Sequence, residues 1–424
     1  MPALPLTSPE AAGMSKSAFE RIEAHLRERY VEAGRFPGTQ LMVYRRGKLV
    51  HFSSQGSADL ERQVPVKDDT IFRIYSMTKP ITSIAFMMLV EEGRVALDEP
   101  VHKYIPEWKN LGVFQAGVWP AFLTRAPSQP MRIVDLMRHT SGLTYGFQQR
   151  SNVDAAYREL KLGEVEKAGT LQSMIADLAK IPLEFSPGEA WNYSVSTDVI
   201  GYLIGLISGK PFEAFLQERI FDPLGMDDTG FFVAPDKAHR LAACYSASPQ
   251  GAMTFHATDR KGGLTLQDDP ATSSFLSPPS FVSGGGGLCS TAADYLTFCR
   301  ALLNGGELDG IRLVGPKTLH LMTSNHLPGG KTLPELSRSL FSEATYEGIG
   351  FGLGFSVTLD PARTLIPGSR GEYAWGGAAT TSFWIDPAEQ LIAIFMTQVL
   401  PSTATAIRRE LRTMIYSAIT DSNV

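Results

Sequence analysis

The chain is organised around the stretch Ile74-Tyr75-Ser76-Met77-Thr78-Lys79-Pro80-Ile81-Thr82. Ser76 and Lys79 are three positions apart, so in a helix their side chains lie on one face, one turn apart. Because Pro80 is tolerated only in the first turn, the helix must begin within a few residues of Ser76. Apolar residues then recur at helical spacing on both sides, which predicts a helix that is buried nearly all round.

This placement gives the pair a chemical interpretation. A serine at the positive end of a helix, beside a lysine whose pKa is lowered by burial, can lose its proton and attack a carbonyl carbon. Backbone N–H groups of the same turn can hold the oxyanion that forms. However, a Ser-x-x-Lys pattern is expected about once by chance in a chain of this size. The interpretation therefore depends on partners elsewhere in the sequence.

Composition and charge exclude several classes of function. With 424 residues, a net charge of −5 and no dense run of lysine and arginine, the chain is not expected to bind nucleic acid or an anionic membrane. The N-terminus lacks the features of a secretion signal, and the longest apolar runs, 84–90 and 199–207, are too short to cross a bilayer. We expect a cytoplasmic protein whose three cysteines are buried small hydrophobes.

Strand-like segments cluster at the two ends of the chain. A hairpin is predicted at 39–45 and 48–54, and further strands at 70–74, 351–358, 380–385 and 391–397. Helices are expected after a capping box at Ser17-x-x-Glu20, and at 133–138, 171–179, 195–208, 212–220, from 291, and at the C-terminus. The segments 108–130 and 241–280 are predicted to be loops, the second lying near the active site.

The order of these elements predicts a fold class. We expect an α/β protein of the α+β type, in which an antiparallel sheet from the N- and C-terminal segments is flanked by the terminal helices. A mainly helical and loop lobe, residues 99–283, is inserted into the sheet domain, residues 1–98 and 284–424. The active site is expected between the two.

Two other stretches offer partners for the Ser76 turn. Tyr193 follows a Pro187-Gly188 turn and precedes a helix, and nearby ammonium groups would allow it to act as a proton acceptor. Gly376 and Gly377 precede a predicted strand, where they mark either a bulge or a close approach by a bound molecule. The N–H of Ala378 would then join that of Ser76 as an oxyanion donor. Taken alone, each feature is also compatible with an ordinary structural role.

Together these motifs resemble the serine β-lactamase and penicillin-binding-protein superfamily, in its class C branch. The resemblance covers nearly the whole chain, and within it the Trp375-Gly376-Gly377 and Tyr193-Ser194 forms are similar to the family VIII carboxylesterases. Further motifs that carry it are Leu136-Met137-Arg138-His139-Thr140-Ser141-Gly142-Leu143, Pro187-Gly188-Glu189, Pro223-Leu224-Gly225-Met226 and Gly286-Gly287-Leu288-Cys289-Ser290-Thr291.

The resemblance implies roles for individual residues. Ser76 would accept the acyl group, Lys79 would take or share its proton, and Tyr193 would be the base and later the acid for the leaving alcohol. Trp375, Gly376, Gly377 and Val195 would contact the substrate. Hydrolysis would proceed through an acyl-enzyme, with no metal and no organic cofactor.

Two departures from the family pattern narrow the expected substrate. Trp375 stands where β-lactamases and peptidases of this superfamily usually have a lysine that helps to hold the substrate carboxylate. Val195 replaces an asparagine that contacts substrate and lysine. An indole offers an apolar surface and no charge, so both changes favour neutral esters.

Other chemistries find less support. His139 follows a short helix and is interpreted as a capping or packing residue, because the Ser-Lys-Tyr set leaves it no proton to move. The sequence has no Gly-x-Ser-x-Gly elbow and no Cys/His pair at metal spacing.

The prediction is a serine carboxylesterase acting on small esters with short to medium acyl chains. The alternatives that use the same site are a β-lactamase, a D-amino-acid peptidase and an acyltransferase, and a non-catalytic ligand binder is the alternative from another class. The sequence does not predict the oligomeric state.

Overall fold

The computed structural model describes residues 4–163, 169–247, 263–338 and 347–424. Its strands are β1 Gly38–Arg45, β2 Lys48–Asp59, β3 Val64–Pro65, β4 Phe72–Arg73, β5 Val113–Val118, β6 Ala121–Arg125, β7 Cys244–Ser246, β8 Thr265–Asp268, β9 Cys289–Ser290, β10 Glu307–Leu308, β11 Ile311–Arg312, β12 Ile349–Phe351, β13 Ser356–Thr358, β14 Tyr373–Gly376, β15 Ser382–Asp386, β16 Leu391–Met396 and β17 Val399–Leu400. Its helices are α1 Lys16–Leu26, α2 Thr78–Glu91, α3 Ile133–Met137, α4 Asn152–Glu159, α5 Leu171–Leu178, α6 Ser196–Ser208, α7 Phe212–Leu216, α8 Asp222–Leu224, α9 Ala292–Leu303, α10 Pro316–Met322, α11 Leu333–Leu336, α12 Pro361–Thr364 and α13 Ile407–Ser417.

An antiparallel sheet of eight strands joins the two ends of the chain, in the order β12-β13-β14-β15-β16-β1-β2-β3. Strand β1 lies between β16 and β2, and its residue Val43 is opposite Ala393 on one side and His51 on the other. Strands near the N-terminus therefore complete a sheet begun near the C-terminus. The predicted fold class is confirmed.

Each face of the sheet belongs to a different hydrophobic core. Successive residues of β1 point to opposite faces, so Met42 joins the larger core, which contains α2 and α6, while Val43 joins the smaller one. Phe19 and Ile22 of α1 and Leu411 and Ile415 of α13 complete the smaller core. Because helices cover both faces, every residue of β1 is buried.

Helix α2 lies in the larger core, where all its residues from Thr78 to Leu89 are buried. It packs against α6. A 3₁₀ turn, Tyr75–Met77, leads directly into α2 and contains Ser76, and Pro80 is the third residue of the helix. Both the burial of this helix and its start near Ser76 were predicted from the sequence and are confirmed.

Several local predictions are wrong. The predicted loop 108–130 contains the hairpin of β5 and β6, in which Val113 pairs with Arg125. The predicted strand 351–358 is interrupted and forms β12 and β13. Ser15, not Ser17, caps the first helix, because its side chain accepts a hydrogen bond from the N–H of Ala18.

The predicted loop 241–280 also contains regular structure. Strand β7 pairs with β8 and, in parallel, with β17. Residues 248–262 of this prediction lie outside the described residues. Helices α3 to α8 fall within the segment 99–283, and the division of the chain into two domains stays a prediction.

Among the described residues, no single helix is long and apolar enough to cross a membrane. Within this part of the chain, the segments Ser196–Ser208 and Phe212–Leu224, which are bent by 81° relative to each other, are long and apolar enough when taken together.

Candidate active site

Ser76 is partly exposed at the start of α2. The residue before it, Tyr75, has φ 42°, a left-handed conformation that is unusual for a bulky side chain. Such strain costs on the order of 1–3 kcal/mol and persists only where surrounding structure enforces it. Ser76 belongs to the first turn, where backbone N–H groups have no intrahelical acceptor. The turn thus presents a hydroxyl and an N–H together.

Lys79 is the centre of the hydrogen-bond network around this turn. Its Nζ donates to Ser76 Oγ at 3.2 Å, to the hydroxyl of Tyr145 at 3.2 Å and to the carbonyl oxygen of Gly285 at 2.6 Å. An ammonium group has three hydrogens to donate, and these three acceptors use all of them. Ser76 and Lys79, whose side chains were predicted to meet on one face of the helix, are therefore in hydrogen-bond contact.

Burial changes the chemistry of this lysine. Lys79 is 2% exposed, and desolvation of its charge lowers its pKa to about 7, although the negative charge of Asp198 opposes the shift. Near neutral pH a large fraction of Lys79 is therefore an uncharged amine with a free lone pair. In that form it can accept the proton of Ser76.

A glycine-rich loop, residues 283–288, fixes the position of the lysine. Thr82 Oγ1 donates to the carbonyl of Gly284 at 2.8 Å, and the N–H of Leu288 donates to Thr78 Oγ1 at 3.1 Å. The N–H of Ile74 also donates to the Leu288 carbonyl at 3.0 Å. The loop is thus attached to α2 on both sides of Lys79.

Tyr193 is buried just before α6 and lies against the lysine and Trp375. The Nζ of Lys79 is 4.5 Å from the centroid of the Tyr193 ring, which is cation–π distance. The indole Nε1 of Trp375 donates to the Tyr193 hydroxyl at 3.4 Å. The structure brings Ser76, Lys79, Tyr193 and Trp375 together, and their catalytic roles stay predictions.

Tyr145 is a residue of this network that the sequence analysis missed. It is buried, its hydroxyl accepts from Lys79, and burial followed by the charge of Asp198 raises its pKa well above the usual value. It therefore stays a neutral phenol. Tyr145 follows the Gly142-Leu143 motif by two residues, but the local sequence carries no signal that its side chain reaches Lys79.

His139 has the packing role expected from the sequence. It is buried, its Nδ1 is 3.1 Å from Ser194 Oγ, and its ring contacts those of Trp191, Tyr193 and Phe351. Burial, together with the charge of Lys79, holds its pKa well below the usual range, so it is neutral.

Because Gly376 and Gly377 have no side chains, neighbouring protein atoms pack closely against them. The two glycines precede β15, as expected, and Gly376 is also the last residue of β14, a strand that was not predicted. A Cβ at Gly376 would lie 2.5 Å from the guanidinium carbon of Arg408, and one at Gly377 would lie 2.4 Å from the carbonyl oxygen of Ile74. The end of β14 therefore touches the chain two residues before Ser76.

The remaining predicted residues are Ala378 and Val195. Ala378 is partly exposed, and its N–H donates no hydrogen bond to the residues that the structure describes, as an oxyanion donor requires. Val195 is completely buried, and its side chain faces Gly163. The predicted contacts of Ala378 with an oxyanion and of Val195 with substrate stay predictions.

Comparison with known proteins identifies the family. The beta-lactamase family model matches residues 19–415. The chain belongs to the beta-lactamase family. An uncharacterized protein of Mycobacterium tuberculosis is 36% identical to this chain. The match covers 89% of this chain and 90% of that protein. Esterase EstB of Burkholderia gladioli is 29% identical over 92% of the chain and 91% of the relative.

A solved structure confirms the fold of this family member. EstCE1, described as a hydrolase with promiscuous acyltransferase activity, superposes with a TM-score of 0.75. The match covers 96% of this chain and 99% of EstCE1 at 24% sequence identity. The family model and the similarity to esterase EstB, together with this fold, confirm the serine β-lactamase and penicillin-binding-protein resemblance derived from the motifs.

The described residues contain no group of three or more His, Cys, Asp or Glu side chains that could hold a metal ion. That the reaction needs no metal or organic cofactor stays a prediction.

Proposed function

We propose that this chain is a serine carboxylesterase of the family VIII type, which hydrolyses small esters with short to medium acyl chains. The observation that carries the proposal is the buried amine of Lys79, 3.2 Å from Ser76 Oγ, with its pKa lowered to about 7. The similarity to esterase EstB supports the reaction class.

The proposed reaction has two stages. In the first, neutral Lys79 accepts the Ser76 proton while Oγ attacks the ester carbonyl, and the N–H groups of Ser76 and Ala378 stabilise the oxyanion. The C–O bond to the alcohol then breaks, and the alcohol leaves with a proton from Tyr193. In the second stage, water attacks the acyl carbon and gives a proton back to Tyr193. The bond between the acyl carbon and Ser76 Oγ then breaks, the acid leaves, and Lys79 returns its proton to Oγ.

Trp375 favours neutral esters in this proposal. It replaces the lysine that would attract a carboxylate, and it is 2% exposed within an aromatic group with Tyr193 and Phe351. An apolar wall of this kind stabilises an uncharged group through surface burial.

The first experiment tests whether Ser76 is a nucleophile. Intact protein is treated with a fluorophosphonate, and the adduct is located by mass spectrometry. We expect the adduct on Ser76, no labelling of Ser76→Ala, and normal labelling of a control variant at an exposed serine, Ser277→Ala. Absence of labelling in the folded wild-type protein would support a non-catalytic ligand binder instead.

A second experiment distinguishes the enzymes that share this machinery. Hydrolysis of p-nitrophenyl butyrate is compared with that of a chromogenic cephalosporin, and butyrate transfer to an added alcohol is measured in the same reaction. We expect ester hydrolysis to dominate. Rapid hydrolysis of the cephalosporin without hydrolysis of the ester would indicate a β-lactamase. Transfer of the butyryl group to the alcohol that is faster than its hydrolysis would indicate an acyltransferase.

Tyr145 is a second candidate for the proton-transfer residue, because its hydroxyl is in hydrogen-bond contact with Lys79 Nζ at 3.2 Å. The matched variants Tyr193→Phe and Tyr145→Phe each remove one hydroxyl. We expect Tyr193→Phe to lower kcat by about 10²-fold or more, the usual effect of losing a general acid–base group, and Tyr145→Phe to cost less. The reverse order would assign proton transfer to Tyr145.

A further inference from the structure

A buried carboxylate lies behind the lysine, on the side away from Ser76. Asp198 is in the first turn of α6 and is 1% exposed. Its Oδ1 accepts from Ser283 Oγ at 2.6 Å and from the N–H of Gly285 at 3.0 Å. The dipole at the start of a helix also favours a negative charge at this position. These contacts stabilise the ionised carboxylate against the burial that raises its pKa.

Gly285 connects this carboxylate to the lysine. Its N–H donates to Asp198, and its carbonyl oxygen accepts from Lys79 Nζ. A Cβ at this position would lie 2.8 Å from Asp198 Oδ2 and 2.9 Å from the Tyr145 hydroxyl. Glycine therefore allows the carboxylate, the phenol and the lysine to approach one backbone segment closely.

The groups that face Lys79 are mostly uncharged. Ser76, Tyr145 and the Gly285 carbonyl bind its Nζ, the Tyr193 ring lies beneath it, and His139 is neutral. Asp198 supplies the negative charge that acts on the lysine within the described part of the chain. The two groups influence each other: burial raises the pKa of Asp198 above its usual value, and the charge of Lys79 opposes that rise.

We propose that Asp198 is a positioning residue for Lys79: through Gly285 it fixes the carbonyl that holds the amine beside Ser76, and through its charge it sets the pH range of activity. The proposal rests on the proposed function, in which Lys79 accepts the serine proton. Asp198 itself does not touch the reacting atoms.

The sign of the pH effect follows from this arrangement. Lys79 must be uncharged to accept the proton, so kcat/KM rises with pH as the ammonium is deprotonated. The charge of Asp198 favours the ammonium form of Lys79, so kcat/KM rises at a higher pH than it would without that charge. Removing the charge should therefore move the acid limb of the pH profile to lower pH.

Asp198→Asn is the matched test, because the amide oxygen can still accept from Ser283 and Gly285 while the charge is lost. We expect the acid limb of kcat/KM for p-nitrophenyl butyrate to move down by about one pH unit or more, the usual effect of one nearby opposite charge. Ser283→Ala removes a hydrogen bond but keeps the charge, and its acid limb should stay near that of the wild type. Lys79 can lose its own proton, so Asp198→Asn need not bury an unpaired charge.

The outcomes separate this inference from the proposed function. If folded Asp198→Asn has the wild-type acid limb while Ser76→Ala is inactive, the role of Asp198 is wrong and the esterase proposal stands. If Ser76→Ala still cleaves the ester, the esterase proposal itself fails. Should Asp198→Asn not fold, the smaller Asp198→Ser is measured against the same expectation, and an unmoved limb again overturns the inference.

Discussion

At the scale of single residues, the site depends on side chains that are held in unusual states. Lys79 is buried and has no direct carboxylate partner among the residues that the structure describes, and Tyr75 has a strained backbone. Each costs stability. In the proposed reaction, Lys79 accepts the proton of the Ser76 hydroxyl. Trp375 is the third such residue, because its indole places a hydrogen-bond donor against the Tyr193 hydroxyl.

The Trp375 contact gives a prediction at this scale. Trp375→Phe keeps an aromatic ring but removes the donor to Tyr193. Because a neutral hydrogen bond contributes about 0.5–1.5 kcal/mol, we expect kcat for p-nitrophenyl butyrate to fall roughly 2- to 10-fold.

Trp384→Phe provides the matched control. Trp384 is buried in the neighbouring strand β15, and its Nε1 has no hydrogen-bond partner among the described residues. The same chemical change there should leave kcat unchanged. Equal losses in the two variants would mean that the Trp375 donor contributes nothing to the reaction.

At the scale of elements, the active site is a meeting of three segments: the Ser76 turn, the glycine-rich loop 283–288 and the end of β14. Gly377 allows the end of β14 to contact the Ser76 turn. A Cβ at this position would lie 2.4 Å from the Ile74 carbonyl oxygen and 2.2 Å from Thr381 Oγ1. The strand end can approach the nucleophile only with a glycine at this position.

Gly377→Ala should separate the strand from the turn. We expect a loss of about 1–3 kcal/mol in the free energy of unfolding, the usual cost of overpacking, and a larger proportional loss of esterase activity because Ala378 moves with the strand. Urea unfolding and ester assays measure the two effects. Gly263→Ala, where a Cβ would meet nothing within 4 Å, should change neither. Full activity in Gly377→Ala would contradict the proposed placement of the oxyanion donors.

Sequence periodicity predicts the elements whose burial is regular. Helix α2 follows from its apolar spacing, and Pro80 fixes where it starts. The hairpin of β5 and β6 escaped prediction because it is mostly exposed and broken by glycine and proline, so no alternation of buried residues marks it.

The site was predicted where its residues belong to a recognisable local motif. Ser76, Lys79, Tyr193 and Trp375 do, and the structure brings them together. Tyr145 and Asp198 are brought near Lys79 by tertiary packing. Their spacing in the sequence does not predict this proximity. For the same reason Gly376 and Gly377 were detected, but the neighbours that lie against them, Arg408 and Ile74, were not.

At the scale of the whole molecule, one buried arginine ties the ends of the chain together. Arg45 of β1 is fully buried and forms an ion pair with Glu389. It also donates to the carbonyl oxygens of Ala12 at 2.8 Å and Asp421 at 2.8 Å. The Arg45 side chain thus connects the sheet to both the N-terminal segment and the C-terminal tail.

Arg45→Ala should destabilise the fold by about 3–5 kcal/mol, because it leaves the Glu389 carboxylate without its partner. The adjacent Arg46 offers the control: its guanidinium is partly exposed and pairs with the exposed Asp421 at 2.7 Å. Arg46→Ala should cost about 0–1 kcal/mol, as surface ion pairs do. Urea unfolding of both variants tests the contrast, and equal losses would show that burial of the Arg45 pair is unimportant.

The pairing of β1 with β16 has a consequence for biosynthesis. On the ribosome, the hairpin of Gly38–Arg45 and Lys48–Asp59 emerges long before its neighbour, Leu391–Met396, is translated. Until then β1 has an open edge, and unpaired strand edges promote intermolecular association. Nascent or prematurely terminated chains that stop before Leu391 should therefore be prone to aggregate, and the sheet should close only after Leu391–Met396 has emerged.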